Sequence, residues 1–536
     1  METQVLIIGG GSTGTGIARD LSLRGIECIL IEQEDINSGA SGANHGLLHS
    51  GARYVFKDPE AAKECRDEGA ILKKLAPQCM EDTGGLFVAV EKDDDNYIAD
   101  FSGLCQTLGI PCQPVDILQA REEEPCLAPD LKAVFRVEDA VVDPFRLSLD
   151  NAADAQAHGT TILRNTRLTE FIKEKGKILG ARVMNIRTGK TFTISALQYI
   201  NATGAWADQV AAMAGAGLPM LYSKGSLLIT QSRINQQVIN RLRPASDADI
   251  LVPAGTVSII GTTSLEIDSL DDIRPTRKEV DDIIREGSVM IPELASTRYI
   301  RAYAGVRPLV KTGNGSGRSI SRNYSLRDHL TDGLENLITI TGGKLTTYRL
   351  MAEKTADLAA ARLKNDQPCL TATQKLPESA KGQWTEPKKA PKVWAASPGQ
   401  KDTLICECEM VSERMVDDIV KSLKEEGAPA TLEEVGNRSR IGKGPCQGTF
   451  CSFRLAAYLY RKEELEAGQG LGQVREFVNE RWKGFQPLVR DKELIRVELQ
   501  ESFLCGLFGI ETSESFIEDD SCRIPDPGLE DKNGLS

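Results

Sequence analysis

"QVLIIGGGSTGTGIARDLSLRGIECILIEQED", Gln4 to Asp35, is the stretch that decides the fold. Val5 to Ile8 is an unbroken apolar run, as expected of a strand covered on both faces of a parallel sheet. Gly9, Gly11 and Gly14 follow at once in the spacing G-x-G-x-x-G, and Gly16 adds another small position. Ile17, Ala18, Leu21 and Leu23 give the next segment one apolar side, Gly25 ends it, and Cys28 to Ile31 begin a second strand. That strand closes on Glu32, 21 residues after Gly11. Strand, glycine turn, helix, strand and acidic terminus together predict a dinucleotide site. Bare amides at the helix N-terminus face a pyrophosphate, and the carboxylate faces ribose hydroxyls.

The chain continues "QEDINSGASG", which places Gly39, Ala40 and Ser41 seven to nine residues beyond the acid. This pattern resembles the FAD-binding segment of the D-amino-acid oxidase and glycerol-3-phosphate dehydrogenase superfamily. Two later strand-to-glycine turns fit the same scheme: "LQYINATGAWAD" ending at Gly204, and "LITITGGKLTTYR" ending at Gly342 and Gly343. The expectation is an α/β chain with a Rossmann-like, discontinuous FAD-binding domain and an inserted α+β substrate domain. "GASGANHGLLHSGARY", Gly39 to Tyr54, then threads past the phosphates and beneath the ring. It holds two of the four histidines, His45 and His49. Gly46, Leu48, Leu345 and Thr346 are further expected flavin contacts. The plain alternative for each histidine is a hydrogen-bonded loop residue.

"NHGLLHSGARY", "VDPFRL", "KGSLLI", "IGTTS", "RAYAGVRPLV" and "TITGGKLTTYRLMAE" together resemble the catalytic chains of the anaerobic, FAD-dependent glycerol-3-phosphate dehydrogenases, and the similarity runs on through "NERWKGFQP". The resemblance implies oxidation of sn-glycerol 3-phosphate to dihydroxyacetone phosphate. It also implies electrons passed to a quinone through partner subunits, among them a second flavoprotein and a membrane-anchoring iron–sulfur subunit. A phosphorylated substrate needs fixed cationic donors, and arginine forks suit phosphate oxygens. Arg307 and Arg322 match family positions lining the substrate site; Lys344 can reach flavin and substrate, with Arg53 and Tyr54 completing the pocket. Related aerobic enzymes carry a histidine directly after Lys-Gly-Ser, where this chain has Leu227. His49 is therefore the preferred proton acceptor, with Tyr54 second. Two rival readings share the architecture: a flavin dehydrogenase of another 2-hydroxy acid or cyclic amino acid, and a non-catalytic electron relay.

Thirteen cysteines, an odd number in a long chain, argue against a disulfide framework. Nine are scattered singly and read as small buried hydrophobes. The other four fall in two pairs beyond a polar, Pro-bearing stretch: Cys406 and Cys408 in "LICECEM", Cys446 and Cys451 in "GPCQGTFC". Such thiolates suit zinc or a [2Fe–2S] cluster, with a metal-free centre as the third reading, and the spacing resembles the small helical bacterioferritin-associated-ferredoxin-like [2Fe–2S] domain. A helix begun by Ser412 and another starting near Ser452 flank the second pair's loop. The expected division is 1–375 dehydrogenase, 376–402 linker, 403–456 cluster domain and 457–536 tail, the last with a short helical pattern around "VREFVNERW" and a polar, acidic end. A net charge of −13 argues against a general nucleic-acid surface. No apolar run is long enough to span a bilayer, and "METQVLIIGG" lacks a signal sequence's basic region. The expected place is cytoplasmic, peripheral at the inner face of the membrane through a partner.

Overall fold

The computed structural model describes residues 1–311, 323–378, 402–425 and 427–508. The strand Glu2–Ile8 lies inside a sheet, parallel to Cys28–Ile31 on one side and to Thr191–Asn201 on the other. Thr161–Leu163 extends the first side and Leu337–Gly342 the second, both in parallel, and Tyr324–Asp328 closes that edge antiparallel. Val5, Leu6 and Ile7 are fully buried, so the unbroken apolar run is explained by cover on both faces. Helix Ser12–Leu23 covers one face with helices Pro144–Ala157 and Tyr348–Arg362. A Cβ on Gly16 would stand 3.1 Å from Ala352 Cβ, so this glycine lets two helices pack closely.

A second, nine-stranded sheet is built from segments that fall between those of the first. Its long strands, Met220–Thr230 and Tyr299–Val310, pair antiparallel, bringing Ser223 opposite Arg307 and Gly225 opposite Gly305. Leu86, Val88, Leu228, Leu251, Ile260 and Ile283 form its core with helix Arg277–Met290. This is the inserted α+β domain expected from the spacing of the three glycine turns.

The C-terminal region is a helical unit around Ile405, Val416, Ile419, Leu423, Val435, Leu455 and Leu459. Ser412 Oγ accepts the Met415 amide at 3.4 Å and starts helix Glu413–Glu425, as its sequence predicts. The boundaries differ from expectation. Residue 456 falls inside helix Cys451–Arg461, whose Leu455 and Leu459 are fully buried. Beyond it, helix Ala467–Phe485 adds Val474 and Val478 to the same core, and helix Asp491–Phe508 follows. The region read as a tail is packed through residue 508. At the other boundary, Leu376 is buried and donates its amide to the Leu75 carbonyl, so the dehydrogenase body runs past residue 375. Most of the expected linker, residues 379–401, lies outside the described residues.

The two regions are tied by a buried ionic knot. Arg438 grips both oxygens of Asp35 at 2.8 and 3.1 Å, and Arg164 reaches the same carboxylate at 3.1 Å. All three side chains are at most 5% exposed.

Candidate active site

Gly9 takes φ +111°, and a Cβ there would lie 2.6 Å from the Ala202 carbonyl oxygen. A Cβ on Gly14 would meet the Gly9 oxygen at 1.9 Å, so helix and turn touch backbone to backbone. Gly11 offers no side-chain cap to helix Ser12–Leu23, leaving its first amides for an acceptor from elsewhere. One such acceptor is Ser41, whose Oγ receives the Ser12 amide at 3.0 Å. Glu32 sits buried at the end of the second strand. It accepts the amides of Gly10 (2.7 Å) and Glu34 (2.9 Å) and the Ser38 hydroxyl (3.3 Å). Burial raises its carboxyl's affinity for a proton, while the Glu34 and Gly10 amides pull it back.

The three glycine turns converge. A Cβ on Gly39 would stand 3.3 Å from the Trp206 ring, just past Gly204. The Gly204 carbonyl accepts the Thr341 hydroxyl at 2.8 Å, which ties the second turn to the third. Asn44 Nδ2 donates to the carbonyls of Ala40 and Ser41 and closes the loop on itself. Gly342 and Gly343 are both left-handed, and at Gly343 a Cβ would come within 2.4 Å of Met351 Sδ. Gly46, also left-handed, passes the Val142 carbonyl, and Leu48 is buried opposite Ala140. The result is a backbone-lined trough with a bare helix N-terminus at one end, which fits a long, flat dinucleotide.

At the far end of the trough lies a polar group drawn from two distant segments. The His49 amide donates to Thr346 Oγ1 at 3.1 Å, and His49 Nε2 lies 3.4 Å from the Tyr54 hydroxyl. Lys344 Nζ stands over the Tyr54 ring, 4.7 Å from its centre. Leu345 and Thr346 begin the turn that leads into helix Tyr348–Arg362. Arg307 projects from Tyr299–Val310 over Gly225, where a Cβ would come within 2.4 Å of its guanidinium. It donates to the Thr262 hydroxyl, to the Thr263 carbonyl at 3.1 Å and to Ser223 Oγ at 3.4 Å. The next residue, Pro308, has its carbonyl beside Gly342, so the strand delivers Arg307 to the same turn as Lys344.

Not every expected residue arrives. Arg53 turns away: Nη2 pairs with Asp249 at 2.6 Å and Nη1 donates to the Arg241 carbonyl, so its charge is neutralised inside the substrate domain. Its role in the pocket is not kept. His45 lines a cavity between the dehydrogenase body and the C-terminal unit, which His49 does not reach. Arg322 lies outside the described residues. Leu227 is buried, with the Gly261 backbone against it. Two groups were not singled out in the sequence. Thr262 and Thr263 of "IGTTS" steady Arg307. Glu64 on helix Pro59–Leu75 has a carboxyl raised by burial and drawn back by Lys344, which places it near that ammonium.

The cysteines form a second centre. Cys406 ends strand Leu404–Cys406, and Cys451 is the first residue of its helix. Cys451 has its thiol against both Cys406 and Cys446, and Cys408 has its thiol against Cys446. Donors favour the thiolate of Cys446: the Cys451 thiol first, against burial, and then the amides of Gly448 and Phe450. The Glu409 amide serves Cys406 and the Cys446 amide serves Cys408. The loop is shaped for close approach. A Cβ on Gly444 would lie 2.6 Å from Cys408 Cβ, and one on left-handed Gly448 would lie 2.0 Å from the Phe477 ring. Among the described residues no three His, Cys, Asp or Glu side chains surround one point as ligands of a single ion.

A family model for FAD dependent oxidoreductases matches residues 4–358, and one for the BFD-like [2Fe-2S] binding domain matches residues 404–461. The chain is 44% identical to the corresponding subunit of the anaerobic glycerol-3-phosphate dehydrogenase of Escherichia coli (strain K12), over 96% of this chain and 98% of that one. The chain belongs to this family. The Haemophilus influenzae counterpart is 40% identical over 95% of this chain and 94% of its own. Among solved structures, the glycerol-3-phosphate dehydrogenase of Bacillus halodurans complexed with FAD superposes with a TM-score of 0.64. It covers 92% of this chain and 97% of its own at 22% identity, a likeness of fold. The trough fits the first model's cofactor and the four thiols fit the second's. This member of the anaerobic family therefore carries FAD and a [2Fe–2S] cluster.

Proposed function

We propose that this chain oxidises sn-glycerol 3-phosphate to dihydroxyacetone phosphate. Bound FAD supplies the hydride acceptor, and the protein supplies binding, orientation and a place for one proton. His49 takes the proton of the C2 hydroxyl, with Tyr54 at 3.4 Å keeping the ring in place. Arg307 holds phosphate oxygens, and the Thr262 and Thr263 contacts fix its fork before substrate arrives. Lys344 orients the substrate from its seat on the Tyr54 ring. The single observation carrying this reading is the meeting of His49, Tyr54, Lys344 and Thr346 where the flavin loop crosses the third glycine turn.

Electrons leave through the four-cysteine centre. The relatives are named as one subunit of a larger dehydrogenase, which goes with further chains. We assign these as a second flavoprotein and a membrane-anchoring iron–sulfur subunit, with a quinone as final acceptor. Among the described residues no helix is long and apolar enough to cross a membrane. This supports a chain held at the inner membrane face by its partner.

A dye-reduction panel tests the substrate class. Glycerol 3-phosphate should reduce the dye at a rate well above glycerol and 2-hydroxyglutarate. A preference for 2-hydroxyglutarate would favour the first rival reading, and no reduction by any of them, with both cofactors loaded, would favour the relay reading.

A further inference from the structure

A cavity of about 2670 Å³ separates the dehydrogenase body from the C-terminal unit. Its walls include Asn44 and His45 of the flavin loop on one side and Arg440 and Lys443 of the cysteine-bearing loop on the other. Glu32, Ser41, Gly343, Lys344 and Arg307 are absent from its wall, while Ser38, Asn44, His45 and Gly46 border it, so the flavin loop itself divides it from the trough. Strand Tyr299–Val310 shows how the two are divided. Alternation puts Arg301, Tyr303, Gly305 and Arg307 on one face. The flavin loop crosses that face midway: the Tyr303 hydroxyl donates to the Asn44 carbonyl at 2.8 Å, and a Cβ on Gly305 would lie 2.4 Å from the Ala43 oxygen. Arg307 lies on the substrate side of the crossing and Arg301 on the cavity side.

Three cations, Arg301, Arg440 and Lys443, line this side of the cavity, whose wall also carries Asp143, Glu476 and Glu480. Arg440 is partly balanced by Glu409 at 3.0 Å and Asp143 at 3.9 Å. Lys443 Nζ rests on the Phe145 ring, 3.8 Å from its centre. Among the described residues, Arg301 makes no side-chain hydrogen bond or ion pair, and its nearest acidic influence is Glu480. Burial lowers Arg301, and burial, then Arg440, pushes Lys443 down to about 7. Arg440 and Arg301 both oppose the charge on Lys443, and an oxyanion placed among the three would favour it.

We propose that this cavity is a second oxyanion site, taking a phosphoryl group between Arg301 on the strand and Arg440 and Lys443 on the cysteine-bearing loop. Its occupant touches both the flavin loop and the cluster domain and bridges them. Free phosphate and a phosphate ester share this chemistry, and the size of the recess leaves room for the body of an ester.

The test is calorimetric titration of the full chain, loaded with FAD and cluster, with inorganic phosphate and with phenyl phosphate. Binding should survive Arg307→Ala and weaken at least tenfold in both Arg301→Met and Lys443→Met. Arg301→Lys should recover most of it, with FAD and iron content unchanged throughout. Tighter binding of phenyl phosphate marks an ester as occupant, and equal binding marks the free ion. Binding lost in Arg307→Ala, or unchanged in both methionine variants, overturns the proposal. So does a recess that takes only poly-glutamate, for that identifies an acidic segment of a partner protein instead.

Discussion

Arg307 shows how a side chain is made ready before its ligand arrives. Its fork is held by Thr262, Thr263 and Ser223, and Gly225 leaves room for it to lie flat. Arg307→Ala should lower kcat/KM for glycerol 3-phosphate roughly 100-fold, the scale of losing hydrogen bonds to a charged group, while FAD absorbance stays at the wild-type level. Unchanged kinetics would remove the phosphate assignment. His49→Asn should cut kcat on the order of 100-fold, as for loss of a general base, and Tyr54→Phe should cut it less. A Tyr54→Phe loss exceeding that of His49→Asn would exchange their roles. Residues fixed by local backbone rules were legible in the sequence: the glycine turns, Glu32 and the thiol pairs each sit in a motif whose spacing carries the physics. Arg53 was not. Its partner Asp249 is 196 positions away, and nothing near Arg53 in the chain announces that carboxylate.

Among the elements, the helix Ala467–Phe485 matters most for the cysteine centre. Phe477 closes over left-handed Gly442 and Gly448, so the loop holding Cys446 is roofed by a helix beyond the expected cluster domain. Its second half, "VREFVNERW", shows a helical pattern in the sequence, but the glycines before it blur the first turns, and the surface it packs on lies in another loop. Gly448→Ala should cost about 1–2 kcal/mol for the left-handed backbone alone, before the clash with Phe477 is counted. Iron per chain should fall sharply while FAD content holds. Full iron content in that variant would mean the loop is not shaped as described. By contrast Gly14→Ala, with its Cβ 1.9 Å from the Gly9 oxygen, should yield colourless flavin-free protein apart from an intact cysteine centre.

For the whole molecule, the knot of Asp35, Arg438 and Arg164 joins the FAD region to the cluster region. It pairs residues 403 positions apart, so only the folded chain reveals it. Burial alone would raise the Asp35 carboxyl, but Arg438 and then Arg164 overcome this and lower it. A carboxyl depressed by folding adds stability above about pH 3.9, its unfolded value, and loses it as pH falls towards the folded value. Arg438→Ala should therefore cost about 3–5 kcal/mol at neutral pH, the scale of breaking a buried ion pair. It should also flatten the acid limb of a Tm-against-pH curve. An acid limb of wild-type slope in the variant would show that the knot does not set it.

Above all, the trough must hold FAD against glycerol 3-phosphate, with the cysteine centre as the next station. Anaerobic titration of the doubly loaded chain with that substrate, following the flavin band and the cluster's EPR signal together, probes both halves in one experiment. The flavin should bleach and the reduced-cluster signal rise together, with the end point lying beyond one substrate per flavin because the cluster takes one electron more than the flavin's two. A fully loaded chain whose flavin stays oxidised under excess glycerol 3-phosphate would contradict this assignment.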